Sequence, residues 1–129
     1  MNVPENLRYT KDHEWILLEG DVATVGITDF AQNALNDIVY VEIETKGKPL
    51  AAESVFGTVD AVKAVSDLFL PVSGTIIEIN PLLESYPGNV NSDPYGEGWM
   101  IKMKVDNPDD VSRLMDSEAY KKVLEQNNS

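Results

Sequence analysis

The sequence predicts a mainly β domain with short peripheral helices. Short runs of alternating apolar and polar residues are separated by turn-forming residues, and helical spacing of apolar residues is confined to residues 28–35 and 107–125. The chain has 129 residues, a length typical of one domain that buries a core without metals or disulfide bonds. Because we see no linker, we expect residues 1–129 to form a single domain.

Alternating apolar residues predict the strands in the first half of the chain. Two short strands, at residues 15–18 and 22–27, are joined by a compact turn at residues 19–21. A third strand follows a helical segment, because apolar and polar residues alternate there with a period of two. The residues that we expect on its buried face are Val39, Val41 and Ile43.

One helix is predicted between the second and third strands. Thr28 is a suitable N-cap, and Asp29 favours the first turn because a carboxylate interacts well with the positive end of the helix dipole. Phe30 and Ala34 lie four residues apart, so we expect both to face the core. Asn36 is expected to end the helix, since asparagine tolerates a left-handed backbone better than most residues do.

The second half of the chain predicts further strands, a long loop and two terminal helices. The strands are expected at residues 54–59, 68–70, 74–79 and 99–105. Residues 80–98 are rich in Pro, Gly, Asn and Ser, which indicates an ordered loop of a length that is usually functional. Asn107 followed by Pro108 predicts a helix start, and a second helix is expected to begin at Ser117.

The charge balance disfavours two classes of partner. Ten basic residues against 22 acidic ones give a formal net charge of −12. Such a chain is repelled by phosphate backbones and anionic lipids, so we expect it to bind neither nucleic acid nor a membrane. An acidic surface does suit docking against basic patches on partner proteins.

The absence of cysteine and the scarcity of histidine exclude several kinds of site. Without cysteine there is no disulfide, no thiolate metal ligand and no thiol nucleophile, and His13 is the one histidine of the sequence. The N-terminal residues lack the basic start and apolar stretch of a signal peptide. We therefore expect a cytoplasmic protein of bacterial type, although a mature mitochondrial chain has the same features.

Lys63 has the most unusual surroundings of any polar residue. It stands among small apolar residues, and no typical turn residue follows it directly. Similar tetrapeptides, Phe56-Gly57-Thr58-Val59 and Ser73-Gly74-Thr75-Ile76, flank this segment, as two related strands beside a central hairpin would. A plain surface lysine is one interpretation. The other is a lysine at a protruding hairpin tip, which offers its amine to a modifying enzyme.

Other candidates for chemistry have weaker support. His13 and Glu14 are adjacent and resemble a proton-transfer pair, but a lone histidine near a tryptophan more often completes a hydrogen-bonded surface. Ser66 and Asp67 suggest a nucleophilic site only if a base accompanies them, and His13 is the sole candidate. These residues alone predict an acidic β domain with one notable lysine.

Taken in order, these residues resemble the family of glycine cleavage H proteins. The resemblance extends from about Val3 to Glu125. The segments that carry it most specifically are Lys11-Asp12-His13-Glu14-Trp15, Asp37-Ile38-Val39-Tyr40-Val41, Val62-Lys63-Ala64-Val65-Ser66-Asp67-Leu68, Pro71-Val72-Ser73-Gly74 and Val90-Asn91-Ser92-Asp93-Pro94-Tyr95-Gly96-Glu97-Gly98-Trp99.

The resemblance implies a barrel-sandwich hybrid fold, related to lipoyl and biotinyl domains. It implies one lipoyl-carrier domain over residues 1–129, with a lipoyl-binding core at about 22–104 and C-terminal helices at about 108–125. One covalent lipoate per chain is implied, attached to Lys63. Acids matching Glu14 and Asp67 are implied to contact the amine of the group that the lipoyl arm carries.

The implied function is that of a carrier and not of an enzyme. Such a protein moves the aminomethyl group of glycine from a pyridoxal-phosphate glycine decarboxylase, the P protein, to an aminomethyltransferase, the T protein. Dihydrolipoamide dehydrogenase, the L protein, and a lipoylating enzyme are the other implied partners, and we expect the chain to be a monomer. An alternative is an H-like lipoyl donor or relay protein that supplies other lipoyl-dependent complexes.

The sequence departs from the family pattern near the implied site. Asp60 stands where the family usually has Glu, Ala61 where it usually has Ser, Leu70 where a small polar residue is common, and Asn36 where Gly is common. We expect Leu70 to reshape the cleft for the loaded arm. A biotin carrier is disfavoured because that family has Met beside its lysine, and an enzyme because the chain has one His and no Cys.

Overall fold

The structure is a computed structural model that describes residues 2–127, with the side chain of residue 127 excepted. Within these residues the chain forms nine strands and five short helices. In order they are β1 (Arg8–Tyr9), β2 (Glu14–Glu19), β3 (Val22–Ile27), α1 (Asp29–Leu35), β4 (Ile38–Glu42), β5 (Pro49–Leu50), β6 (Val55–Ala61), β7 (Val65–Phe69), β8 (Gly74–Ile79), α2 (Leu82–Ser85), α3 (Asn89–Ser92), β9 (Ile101–Val105), α4 (Asp109–Ser112) and α5 (Ser117–Asn127).

Two antiparallel sheets form the body of the protein. One has six strands in the order β1-β2-β3-β9-β8-β5, and the other has three in the order β4-β6-β7. Buried side chains from both sheets join one hydrophobic cluster, including Ile16, Val25, Val59, Leu68, Ile76 and Ile101. The mainly β class that the sequence predicts is therefore confirmed, and every strand predicted from alternation is present within a few residues of its expected bounds.

A second, smaller cluster attaches α5 to the N-terminal strands. The rings of Tyr9 and Tyr120 stack with their centroids 4.6 Å apart, and Leu124 packs in the same cluster. The backbones of Tyr9 and Met115 exchange two hydrogen bonds of 2.8 and 3.1 Å. The predicted C-terminal helix therefore packs on β1 through an apolar face of its own.

Two burial predictions for the first half of the chain are wrong. Val39 is 53% exposed, because a β-bulge between Ile38 and Tyr40 breaks the alternation on which the prediction depended. Ala34 is exposed as well, while Ala31 and Leu35 pack against the main core from α1. Helical spacing identified the helix but not which of two overlapping i, i+4 pairs faces inward.

The predicted loop at residues 80–98 contains two short helices, α2 and α3, and is therefore more regular than expected. The buried side chain of Asn80 organises it, since its amide nitrogen donates to the carbonyl oxygens of Glu97 and Trp99, each at 2.8 Å. β9 begins at Ile101, two residues later than predicted. Of the described residues, no helix is both long and apolar enough to span a bilayer.

The repeated Gly-Thr pairs mark places where paired strands lie unusually close together. A β-carbon on Gly57 would clash with the carbonyl oxygen of Glu42, and one on Gly74 with the carbonyl oxygen of Lys104. Each glycine therefore allows a neighbouring strand to approach more closely than a side chain would permit. The repeated tetrapeptides therefore correspond to a close approach of paired strands in each of the two sheets.

Candidate functional site

Lys63 lies at the tip of the hairpin formed by β6 and β7. The paired strands end at Asp60 and Val65, and the Ala61 nitrogen donates to the Ala64 carbonyl oxygen at 2.7 Å to close the turn. The side chain of Lys63 is exposed, and the neighbouring Val62 and Val65 are 75% and 67% exposed. The structure therefore confirms that Lys63 lies at a hairpin tip, and an amine in this position is accessible to a modifying enzyme.

The connection from α1 to β4 braces this hairpin. The Val62 nitrogen donates to the carbonyl oxygen of Asp37 at 3.0 Å. Asn91 holds the connection from the other side, because its amide nitrogen donates to the Asn36 carbonyl oxygen at 2.7 Å and its amide oxygen accepts from the Ile38 nitrogen at 2.9 Å. The loop that contains Asn91 therefore fixes the backbone beside Lys63.

Glu14 is a buried acid, with 2% of its surface exposed. One carboxyl oxygen accepts from the Phe69 backbone nitrogen at 2.8 Å, and the other accepts from the Thr10 hydroxyl at 3.1 Å. Burial raises the pKa of Glu14 to about 8, although these two hydrogen bonds oppose the shift. Glu14 is therefore mostly protonated and neutral near pH 7, and it does not lie on the surface beside His13.

A cavity of about 220 Å³ opens next to Glu14. Its lining residues are Tyr9, Thr10, Lys11, Asp12, Glu14, Glu53, Leu70, Pro71, Arg113, Leu114 and Met115. Leu70 supplies apolar surface to the cavity, and an exposed ion pair of 3.0 Å between Lys11 and Glu53 lies at its edge. The leucine that departs from the family pattern therefore lines the same cavity as the buried acid.

Asp67 does not line this cavity but lies on the exposed face of β7. β7 runs from Val65, next to the hairpin tip, to Phe69, whose backbone nitrogen contacts Glu14. At roughly 3.3 Å per residue, these two ends are about 13 Å apart. Asp67 is thus midway along the strand that leads from Lys63 to Glu14, and the two acids are not in direct contact.

His13 belongs to a structural cluster. Its Nδ1 lies 2.8 Å from the Tyr120 hydroxyl, which also lies 2.7 Å from the Thr28 hydroxyl. The imidazole packs against the ring of Phe30 at 4.6 Å, and burial lowers its pKa. These contacts join the turn before β2 to α1 and α5, so the hydrogen-bonding interpretation of His13 fits the geometry better than proton transfer with Glu14 does.

Two features of the site are absent from the sequence prediction. The Phe69 backbone nitrogen that binds Glu14 has no sequence signal, because any non-proline residue supplies the same donor. The packing of Asn36 and Asp37 beside Lys63 depends on a contact between segments distant in sequence. Among the residues that the structure describes, no group of three or more His, Cys, Asp or Glu side chains is arranged to hold a metal ion.

Comparison with known proteins gives a consistent result. The family described as "Glycine cleavage H-protein" matches residues 7–127 of the chain. The glycine cleavage system H protein of Bacteroides fragilis is 60% identical over 124 residues, which cover 96% of this chain and 98% of that protein. The protein of the same name from Bacteroides thetaiotaomicron is 56% identical over 124 residues, with the same coverage.

Similarity extends to a solved structure. The crystal structure of a glycine cleavage system H protein from Mycobacterium marinum matches with a TM-score of 0.84 and 34% sequence identity. The match covers 98% of this chain and 100% of the other. The two sheets, the hairpin that bears Lys63 and the C-terminal helix therefore belong to an architecture that these proteins share.

Proposed function

Because the chain belongs to the glycine cleavage H-protein family, we propose that Lys63 bears the lipoyl group through which it serves glycine cleavage. The chain is a carrier subunit of that system and not a catalyst. Its fold is the barrel-sandwich hybrid that the resemblance implies.

The observation that carries the proposal is the exposed amine at the tip of the β6–β7 hairpin. Attachment of lipoate needs a primary amine that a modifying enzyme can reach, and Lys63 meets this need without any rearrangement of the fold. The flanking Val62 and Val65 leave apolar surface exposed around the amine. The residues at the tip therefore fit a covalent lipoyl group.

When attached, lipoate supplies a disulfide that takes up the aminomethyl group and is regenerated by oxidation. Lys63 tethers that group, and the short hairpin presents it to each enzyme in turn. We propose that the P, T and L proteins and a lipoylating enzyme all act at this tip. A transient, charged interface suits such sequential docking better than a large apolar one, and the net charge of −12 is consistent with it.

Glu14 and its cavity are proposed to shelter the amine of the carried group. A protonated amine beside Glu14 would stabilise the carboxylate, so docking of the amine would release the proton that Glu14 holds near pH 7. Leu70 lines the same cavity, and we propose that its apolar side chain helps to keep water away from the amine. Asp67 is proposed to contact the amine along β7, outside the cavity itself.

The test is mass spectrometry, of both the intact protein and its peptides, on protein produced in cells that lipoylate it. We expect one lipoyl group per chain, on Lys63, and none on the Lys63→Arg variant, which should remain folded but support no glycine cleavage. Lys46→Arg replaces another exposed lysine and should keep both the modification and the activity. A lipoyl group on another lysine, or biotin on Lys63, would overturn the proposal.

A further inference from the structure

We propose that Asn36 positions the side chain of Lys63, both before and after modification. The amide oxygen of Asn36 accepts a hydrogen bond from the Lys63 nitrogen in the amine form and from the N–H of the amide once the lysine is acylated. This inference rests on the proposed modification of Lys63. It adds a residue that directs the arm and that lies outside the hairpin.

The geometry brings the two side chains together. One orientation of the Asn36 amide satisfies both of its neighbours, with Oδ1 at 3.2 Å from Lys63 Nζ and Nδ2 at 3.3 Å from the carbonyl oxygen of Asn33. The contact between Nδ2 and the Asn33 carbonyl oxygen fixes the amide against α1. It therefore orients Oδ1 toward Lys63. A residue at the end of α1 thus contacts the amine at the hairpin tip.

The backbone of Asn36 is an independent observation. Its φ of 61° and ψ of −143° lie near a region that glycine adopts far more readily than other residues do. Asn91 bonds the Asn36 carbonyl oxygen, and the Asn36 nitrogen donates to the Gln32 carbonyl oxygen at 2.9 Å. This conformation is therefore imposed by the surroundings. A glycine at this position would have no backbone strain. The presence of asparagine in a strained backbone conformation therefore indicates a functional role for its side chain.

A neutral acceptor suits every state of the lysine. Acylation by an activated lipoyl ester forms a C–N bond at Nζ, expels the ester's leaving group with its electron pair and removes a proton from nitrogen. The ammonium, the amine and the final amide each retain an N–H that Asn36 accepts. A carboxylate in its place would favour the ammonium, which has no free electron pair for the attack. Among the ion pairs of the described residues, none includes Lys63.

The first experiment measures lipoylation of the unmodified protein by a purified lipoate ligase. Asn36→Gly removes the amide and suits the positive φ, so the fold and its melting temperature should be kept. We expect kcat/KM to fall about twofold to fivefold, the range for one exposed hydrogen bond. Asn33→Ala is the control, because it removes an exposed side chain and keeps the carbonyl that Asn36 contacts. Unchanged kcat/KM in Asn36→Gly would overturn the inference for the unmodified state.

The second experiment follows exchange of the Nζ amide proton of acylated Lys63 by NMR. We expect exchange about twofold to fivefold faster in Asn36→Gly than in wild type. Asn36→Asp keeps an acceptor oxygen but loses the donor to the Asn33 carbonyl, so it should retain part of the wild-type protection while being acylated more slowly. Equal exchange in wild type and Asn36→Gly, or equal loss of protection in both variants, would overturn the inference for the acylated state.

Chemically acetylated protein separates this inference from the proposed function. Acetylation gives Lys63 an amide N–H without any lipoyl group, and Lys63→Arg identifies its signal. Faster exchange in acetylated Asn36→Gly supports the positioning role even if mass spectrometry finds no lipoyl group on Lys63. If Lys63 is lipoylated and Asn36→Gly has no effect in either experiment, the proposed function stands and the role of Asn36 is rejected.

Discussion

The carboxyl group of Glu14 is a buried acid whose titration should make the stability of the fold depend on pH. Its pKa is raised from 4.5 to about 8 because burial disfavours the charged form. Between these two values the folded protein binds more protons than the unfolded chain does. The free energy of unfolding should therefore fall as the pH rises from about 5 to 8, by at most about 1.4 kcal/mol per pH unit from this group.

Glu14→Gln should remove this slope, because glutamine is neutral at every pH. Its amide oxygen still accepts from the Phe69 nitrogen, and its amide nitrogen donates to the Thr10 hydroxyl. Urea denaturation at pH 5, 6, 7 and 8 measures the effect as a difference between variant and wild type. Glu19→Gln, at the exposed end of β2, should leave the slope unchanged. Parallel stability curves for wild type and Glu14→Gln would contradict a raised pKa at Glu14.

Glu14 and Asp67 are both expected to protect the aminomethyl group on the lipoyl arm. Glu14→Gln and Asp67→Asn variants, loaded with this group, should release ammonia faster than wild type in the absence of tetrahydrofolate. The reason is that the amine loses a charge-assisted hydrogen bond and is sheltered less from water. Removing such a bond costs about 1.5–3 kcal/mol, so we expect release to be at least tenfold faster for Glu14→Gln. Wild-type release rates in both folded variants would leave the shelter without support.

At the scale of elements, glycines at two positions determine how closely paired strands can lie within a sheet. Gly74 lies under the carbonyl oxygen of Lys104, so Gly74→Ala forces β8 and β9 apart. We expect a loss of about 1–3 kcal/mol in the free energy of unfolding, the usual range for overpacking. Gly88→Ala is the matched control, because a β-carbon there meets no atom within 4 Å and the φ of Gly88 is −62°.

Chemical denaturation distinguishes the two glycine variants. Gly88→Ala should be neutral or stabilising by about 0.4–1 kcal/mol, since alanine restricts the unfolded chain. If Gly74→Ala were as stable as Gly88→Ala, the strands would have room for a β-carbon and the interpretation of the Gly-Thr repeat would be wrong.

At the scale of the whole molecule, the net charge of −12 should govern encounter with partner enzymes. The Debye length falls from about 10 Å at 0.1 M salt to about 3 Å at 1 M, so attraction to a basic surface is screened. We expect the KM of the aminomethyltransferase for the loaded carrier to rise with salt. The kcat at saturating carrier is the internal control and should change little. A KM independent of ionic strength would mean that docking is not electrostatically steered.

Alternation, caps and turn residues determined most of the fold from the sequence alone. Thr28 caps α1 by accepting from the Ala31 nitrogen, and Asn36 ends the helix, both as predicted, although its ψ of −143° lies outside the left-handed helical region. The isolated Lys63 between two related segments made a hairpin tip one of two interpretations, and the resemblance to the H-protein family favoured it. These features are local, because the chemistry of a few neighbouring residues decides them.

Tertiary structure decided the features that depend on contacts between distant segments. A bulge against β6 turned Val39 outward, and packing of α1 against the core selected Leu35 in place of Ala34. The burial of Glu14 results from β7, 55 residues away, whose backbone binds the carboxyl group and excludes water from it. Residue types and spacing thus drew attention to the lysine, and the family resemblance added the acid, whereas the packing of separate strands set the charge state of Glu14 and the contact between Asn36 and Lys63.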